Sequence, residues 1–375
     1  MTRLMSAIAT FFLIAGGAAG DESLDAAIQR VVDKAVADSG APGMVAAIGD
    51  SSGAIATGAA GVRKAGDKTA LAAGDKMHLG SCTKAMTATL LGLLVDEGKL
   101  AWDSKLVDAA PELKPRVHDD YHDVTLWQLV THRAGFPANA NWWGKQSLPM
   151  HERRVALVGE ALAAAPTEPI GEHHYSNVGY TAAGVMAEAI TGKTWEELMR
   201  ERLFEPLEMS SAGFGPPGAA GKVDQPWGHR KGWLGFGGWT PDQTDNAPAL
   251  GPAGTVHCSI EDWAKFLALH LGQGPDPTLK PETLAKLHTP EEGDEAQYAG
   301  GWLLQERAWG EGEVLWHNGS NTLWYALVWI APNTDRSYMV VTNSADGGSH
   351  SVCDGVIAEM IRLDRAAGDS PPASE

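Results

Sequence analysis

Short strand-like runs lie at both ends of this chain of 375 residues, and mostly helical sequence lies between them. Near the start, the apolar runs 44–48 and 54–60 flank Asp50-Ser51-Ser52-Gly53, which is the pattern of a β-hairpin. Near the end, the short apolar runs are 301–305, 314–316, 323–330 and 337–342. Because strands must pair and bury an apolar face, this arrangement predicts an α+β fold. We expect one antiparallel sheet built from both termini and flanked by helices, with a mainly helical insertion at about 116–295.

Apolar periodicity, capping residues and terminal glycines predict the helices. They are expected at 21–38, 83–95, 125–135, 151–165, 177–190, from 194 onward, at 259–271 and at about 351–365. Thr194-Trp195-Glu196-Glu197 is a capping box. In contrast, 214–254 is rich in Gly, Pro and Trp, which is typical of a long surface loop near a site.

Residues 1–20 have the pattern of a secretory signal peptide. Arg3 precedes an apolar run over 4–15, and small residues follow as far as Gly20. The run is shorter than a bilayer span, so we expect no stable membrane anchor. The expectation is an exported, periplasmic protein with a mature domain over 21–365 and a disordered tail over 366–375.

Composition limits the partners and the redox chemistry. Lys and Arg number 29 against 47 Asp and Glu, and the net charge of −18 disfavours binding to nucleic acid because phosphates are repelled. The three cysteines, Cys82, Cys258 and Cys353, are too few for a disulfide framework and allow at most one bridge. Buried free thiols are the favoured interpretation.

Ser81 and Lys84 form the first chemical motif. They lie three residues apart at the start of an apolar helix, so their side chains share one helical face, about 5–6 Å apart at Cβ. A serine hydroxyl needs a nearby base to become a nucleophile. A lysine amine can be that base when burial lowers its pKa.

Two further motifs follow at wide spacing. Tyr175-Ser176-Asn177 stands just before a predicted helix, and His317-Asn318-Gly319-Ser320 ends a predicted strand. Each short pattern alone is weak, because patterns with two fixed positions arise by chance in many proteins. Their order and spacing, taken together with Ser81-x-x-Lys84, are far more specific.

The three motifs resemble those of the serine β-lactamase and penicillin-binding-protein superfamily, in the branch with class C β-lactamases, DD-carboxypeptidases and family VIII esterases. Flanking stretches agree over about 22–365. They are Thr125-Leu126-Trp127-Gln128-Leu129-Val130-Thr131-His132-Arg133-Ala134-Gly135-Phe136, Tyr175-Ser176-Asn177-Val178-Gly179-Tyr180, Glu205-Pro206-Leu207-Glu208-Met209, Ile260-Glu261-Asp262-Trp263-Ala264-Lys265-Phe266, and Ile330-Ala331-Pro332-Asn333-Thr334 with Thr342-Asn343. The resemblance implies a β-lactamase/transpeptidase-like fold and two-step acyl transfer with no metal and no cofactor.

The resemblance also implies three catalytic roles. Ser81 would be the acylated nucleophile. Lys84 would take its proton and hold the local charge. Tyr175 would shuttle a proton to the leaving group and act again during deacylation.

Four further residues would bind the substrate according to the resemblance. Asn177 would hydrogen-bond the substrate or Lys84, and Gly319 would let the substrate approach the strand. Ser320 would supply one backbone N–H of the oxyanion hole, and the nucleophile would supply the other. His317 stands where class C β-lactamases have lysine. Because histidine is only partly cationic near pH 7, this departure weakens capture of a substrate carboxylate.

Tryptophans and histidines outside the motifs have two interpretations. Most of the 14 tryptophans are expected to fill the core. Alternatively, the Trp142–Trp143 and Trp227–Trp239 loops line an aromatic cleft that suits an apolar acyl group. His118, His122, His132, His173 and His174 lack acidic or cysteine partners at metal-ligand spacing, so we expect packing or solvated side chains.

The sequence therefore predicts an exported serine hydrolase acting on a small ester, amide or peptide. A D-alanyl-D-alanine carboxypeptidase or a class C-like β-lactamase is the alternative within the family. From other classes, a non-catalytic binding or regulatory protein of the same fold and a structural envelope protein remain as hypotheses.

Overall fold

Six strands from the two ends of the chain form the main sheet in this computed structural model, which describes 23–232, 238–272 and 279–368. The strands of the described residues are β1 Gly43–Asp50, β2 Gly53–Gly61, β3 Met77–His78, β4 Gly213–Phe214, β5 Gly228–Lys231, β6 Trp239–Asp242, β7 Val256–Cys258, β8 Leu303–Arg307, β9 Gly312–Ser320, β10 Tyr325–Ala331 and β11 Arg336–Thr342. The main sheet is antiparallel in the order β2-β1-β11-β10-β9-β8. The predicted sheet built from both termini is confirmed.

Helices cover both faces of this sheet. The α-helices of the described residues are α1 Leu24–Ser39, α2 Thr83–Asp96, α3 Leu106–Ala109, α4 Leu126–Val130, α5 Met150–Ala161, α6 Asn177–Thr191, α7 Trp195–Met199, α8 Gly251–Gly254, α9 Ile260–His270, α10 Pro281–Leu287 and α11 Ser349–Gly368. Along β1, Met44 and Ile48 pack in the cluster beneath α1 and α11, whereas Val45 and Ala47 pack in the larger cluster on the opposite side. This alternation follows from the two-residue period of a strand.

Local signals in the sequence explain most of the helix boundaries. Thr125 and Thr194 both form complete capping boxes. Ser176 caps α6, which ends at Gly192 in the left-handed conformation. The predicted capping box at Thr194 and the predicted helix at 177–190 are confirmed. Ser176 matters because it fixes the chain between Tyr175 and Asn177.

Several elements differ from the prediction. Helix α4 ends at Val130 because the chain turns at His132, which has a positive φ of 61°. The segment 214–254 is more ordered than a surface loop, since it contains the hairpin β5–β6 and ends in the buried helix α8. Helix α11 continues to Gly368, three residues into the predicted tail. The predicted signal peptide at 1–20 and the rest of the tail lie outside the described residues.

Two further predictions concern the cysteines and membrane-spanning helices. All three cysteines are free and buried, as expected. Across 23–232, 238–272 and 279–368, no helix combines the length and the apolar character needed to cross a bilayer.

A buried arginine joins the helical part of the chain to α8. Arg154 on α5 is inaccessible to solvent and pairs with Glu188 of α6 and with Glu196 of α7. Its guanidinium also donates to the backbone oxygens of Pro248 and Ala249, each at 3.2 Å. The ion pair therefore holds in place the segment that leads into α8.

We expect Arg154→Met to lower the free energy of unfolding by about 3–5 kcal/mol, because the buried Glu188 carboxylate loses its guanidinium partner and keeps only His151 and the Trp195 N–H. Denaturant titration monitored by circular dichroism measures the change. Arg362→Met is the matched control, since Arg362 pairs with Glu359 in solvent, and its stability should equal that of the wild type. Equal stability of the two variants would contradict the prediction.

Candidate active site

Ser81 lies in a 3₁₀ turn, Gly80–Cys82, that leads directly into α2. The spacing predicted from the sequence is realised, because Lys84 Nζ lies 3.0 Å from Ser81 Oγ. The hydroxyl of Tyr175 reaches the same oxygen at 2.8 Å. Ser81 Oγ is thus contacted by both of the groups expected to move its proton.

Lys84 is fully buried, and all three hydrogen-bond partners of its amine are uncharged. Besides Ser81, they are Asn177 Oδ1 and the backbone oxygen of Ala253 in α8, each at 2.8 Å. Burial lowers the pKa of Lys84 from about 10.5 to about 7. The amide and carbonyl oxygens can only accept, so a neutral amine donates its two protons to them and turns its lone pair toward the Ser81 hydroxyl.

Tyr175 is placed to give a proton rather than to take one. Burial raises the pKa of its hydroxyl to about 12, and the hydrogen bond with Ser81 acts in the opposite direction. The phenol therefore stays protonated near neutral pH, although the residue is 37% exposed overall. His132 positions it from behind, with ring centroids 4.3 Å apart and its Nδ1 accepting the Ser176 backbone N–H at 3.1 Å.

Asn177 contacts Lys84, which is one of the two roles that the resemblance implies for it. Its Nδ2 donates to Asn139 Oδ1 at 2.9 Å, and Trp142 Nε1 approaches the same oxygen at 3.5 Å. Because Asn139 Oδ1 accepts from these donors, Asn177 must turn its own oxygen toward the lysine. A short amide relay thus sets the orientation of Asn177.

Two glycines allow the nucleophile turn to touch the end of β9. A Cβ on Gly80 would stand 2.3 Å from the backbone nitrogen of Ser320, and one on Gly319 would stand 2.7 Å from that of Ser81. Gly80 also has a positive φ of 52°. The backbone N–H groups of Ser81 and Ser320 therefore come from two segments in direct contact, as an oxyanion hole requires.

His317 is a buried, neutral side chain. Its Nδ1 lies 2.5 Å from the backbone oxygen of Asn318, so that nitrogen carries the proton, and Nε2 accepts from the Tyr298 hydroxyl at 3.1 Å. Burial, assisted by repulsion from Lys84, lowers the pKa of His317 to about 3. The expectation of a partly cationic histidine is wrong, because at neutral pH the ring holds only the Nδ1 proton and carries no positive charge.

Two cavities meet at Ser81 and Ser320. The first has a volume of about 290 Å³, and its walls include Asn139, Trp142, Trp143, Asn177, Asp245 and Leu250. The second has a volume of about 400 Å³, and its walls include His173, Tyr175, Tyr298, Leu303, His317 and Tyr325. The two cavities provide one binding region on each side of the serine.

The tryptophan loops divide between the two interpretations. Trp142 and Trp143 line the first cavity. Trp227 instead lies under the Lys64 ammonium, and Trp239 Nε1 donates to the backbone oxygen of Gly40, so neither lines a cavity at Ser81. The cleft interpretation is therefore wrong for those two residues, which pack the β5–β6 hairpin against its neighbours. Trp233 lies outside the described residues.

The chain matches a known protein family over most of its length. Residues 28–360 match the model of the Beta-lactamase family. The chain belongs to the Beta-lactamase family. It is accordingly a serine hydrolase related to enzymes that act on ester and amide bonds.

Relatives in this family carry different activities. Penicillin-binding protein 4 of Amycolatopsis lactamdurans is 26% identical over 305 residues, which cover 76% of either chain. The unguisins hydrolase ungD' of Aspergillus campestris is 28% identical, over 64% of this chain and 47% of its own length. The D-amino acid amidase of Ochrobactrum anthropi SV3, solved with L-phenylalanine amide, is similar in structure, with a TM-score of 0.72 and 22% identity over 92% of this chain and 99% of that one.

Several residues of the site were not found from the sequence. Asn139 lies just beyond the stretch that resembles the family, which ends at Phe136. Its position after Pro137 is the sequence feature that could have pointed to it. Tyr298, which donates to His317, carries no local signal, because its role depends on a contact with a strand that lies later in the chain.

We expect the acylation rate of the wild type to rise about tenfold per pH unit below pH 7 and to level off above it, since only neutral Lys84 can accept a proton. Stopped-flow measurement of the p-nitrophenol burst tests this. Lys84→Arg should show no burst at any pH, because its guanidinium stays charged. Lys105→Arg, the same exchange at an exposed residue, should keep the wild-type profile. A profile that is flat from about pH 5 to about 9 would rule out Lys84 as the base.

Proposed function

We propose that the protein hydrolyses small esters or amides through an acyl-Ser81 intermediate, with Lys84 as base and Tyr175 as acid. The observation that carries the proposal is the pair of hydrogen bonds at Ser81 Oγ, one with the Lys84 amine and one with the Tyr175 hydroxyl. A buried amine with a pKa of about 7 is matched to the task of a general base near neutral pH.

The proposed reaction runs in two steps. Ser81 Oγ bonds to the substrate carbonyl carbon while Lys84 Nζ takes its proton, and the Ser81 and Ser320 N–H groups stabilise the oxyanion. As the bond to the leaving group breaks, the Tyr175 hydroxyl protonates that group, and the Lys84 ammonium returns a proton to the tyrosine. Water then attacks the acyl carbon while Tyr175 takes a proton from the water and passes its own to Lys84, and the Lys84 ammonium protonates Ser81 Oγ as the acyl–oxygen bond breaks.

The cavities favour particular substrates. Tyr175 lines the second cavity, so the leaving group occupies that side and the acyl group lies against Trp142 and Trp143. None of the described residues lining the second cavity is Lys or Arg, and His317 is neutral. We therefore favour esters and amides with uncharged leaving groups over β-lactams and D-alanyl peptides, whose carboxylate would lack a cationic partner.

Export is a separate part of the proposal. It rests on the pattern of residues 1–20 and on the net charge of −18, which is compatible with an extracytoplasmic hydrolase of small molecules. We propose a periplasmic or secreted location, and fractionation of cells that express the full chain tests it.

We expect a fluorophosphonate probe to add to Ser81 in the wild type and to leave Ser81→Ala unmodified, because the Ser81 hydroxyl is the one that the Lys84 amine activates. Intact-mass and peptide mass spectrometry locate the adduct. Ser52→Ala, which removes an exposed hydroxyl from the β1–β2 turn, should label as the wild type does. An adduct that persists in Ser81→Ala would refute the nucleophile assignment.

A matched pair of esters tests the leaving-group preference. Phenyl and 3-carboxyphenyl esters of phenylacetic acid share one acyl group, and we expect kcat/KM to favour the uncharged phenyl ester by at least about tenfold, since the anion enters a cavity without a cation. His317→Lys should narrow or reverse this ratio. Preference of the wild type for the carboxyphenyl ester would favour the carboxypeptidase or β-lactamase alternative.

A further inference from the structure

Asp245 carries a buried carboxylate beside Ser81 that takes no part in the proposed proton transfers. Its side chain is only 4% exposed, although it borders the first cavity. His78 Nε2 lies 3.0 Å from one of its oxygens and 3.1 Å from the other. Asn321 Nδ2 and the backbone N–H of Asn246 each donate to Oδ1 at 2.7 Å. Both oxygens are therefore directed into the protein rather than toward a substrate.

The contact with His78 reaches the nucleophile turn. His78 is buried, and its Nδ1 accepts the backbone N–H of Gly80 at 3.1 Å. An imidazole nitrogen that accepts a hydrogen bond carries no proton, so the proton of the neutral ring lies on Nε2 and is donated to Asp245. The carboxylate thereby selects the tautomer that can hold the residue before Ser81.

The contact with Asn321 reaches the other donor of the oxyanion hole. Asn321 Oδ1 accepts the backbone N–H groups of Leu323 and Trp324, each at 3.1 Å, so its NH₂ group must face Asp245. Asn321 directly follows Ser320 at the end of β9. One carboxylate is thus bound to both segments that meet at Gly80 and Gly319.

We infer that Asp245 is a positioning residue for the oxyanion hole, which it holds together through His78 on one side and Asn321 on the other. The inference rests on the proposed acyl transfer at Ser81. Its physical basis is that oxyanion donors act only when they are fixed before charge develops. Burial acts to raise the pKa of Asp245, but His78, Asn321 and the Asn246 N–H together hold it below its usual value, so the residue is ionised at neutral pH.

Asp245→Asn tests the inference because it keeps the shape and removes one acceptor. The NH₂ group of the new amide would face an N–H donor on His78 or Asn321. His78 would relieve this clash by carrying its proton on Nδ1 instead of Nε2, and Nδ1 could then no longer accept the Gly80 N–H. With p-nitrophenyl butyrate we expect kcat to fall about 10²-fold and KM to change less than about twofold. In acyl-Ser81 labelled with ¹³C at the carbonyl, the infrared carbonyl band should move to higher frequency, because polarisation is lost.

Asp242→Asn is the matched control. Asp242 lies on the same segment, pairs with Arg230 and lines neither cavity at Ser81. It should keep the wild-type kcat and the wild-type carbonyl band.

A second measurement needs no variant of Asp245. The ¹⁵N spectrum of histidine-labelled wild type, assigned with His78→Gln, should show His78 protonated at Nε2 and not at Nδ1. A proton on Nδ1 would overturn the inference, as would a folded Asp245→Asn with wild-type kcat and carbonyl band. A loss confined to KM would also overturn it, because it indicates direct contact with the substrate. Failure of the wild type to acylate Ser81 would reject the proposed function instead, and the His78 tautomer would still test the hydrogen bonds themselves.

Discussion

A lysine amine buried without a counter-ion is the constraint on which the rest of this site depends. Lys84 sits on α2, a helix whose residues are buried over most of its length. Desolvation brings its pKa close to 7, and only uncharged oxygens from Asn177 and Ala253 hold it. Any carboxylate beside it would restore the ammonium and remove the base. The helices around Lys84 therefore contribute to the chemistry of the site, because they keep water away from its amine.

The site contains a second ionisable side chain that is uncharged at neutral pH, His317. His317 stands where the resemblance implies a lysine in class C β-lactamases, yet its two nitrogens are occupied by Tyr298 and by the backbone of Asn318. Repulsion from Lys84 adds to the effect of burial. His317 therefore presents no positive charge to the second cavity.

Features with a local cause were predictable from the sequence, and features with a distant cause were not. The hairpin, the capping boxes and the Ser81–Lys84 pair follow from residues within one turn of each other. By contrast, the tautomer of His317 depends on Tyr298, and the orientation of Asn177 depends on Asn139. The tryptophans show the same limit, because composition alone could not distinguish the cavity wall at Trp142 from the packing contacts at Trp227.

The pairing of β1 has a consequence for how the chain reaches this state. One edge of β1 pairs with β2, which follows it directly in the chain, whereas its other edge pairs with β11 near the far end. The turn that holds Ser81 likewise contacts Ser320, which is distant in sequence. Such non-local pairing makes folding slow and leaves an open strand edge during synthesis. Partial chains of this protein therefore present an aggregation-prone edge, and the backbone N–H groups of Ser81 and Ser320 come together only when the last strands pair.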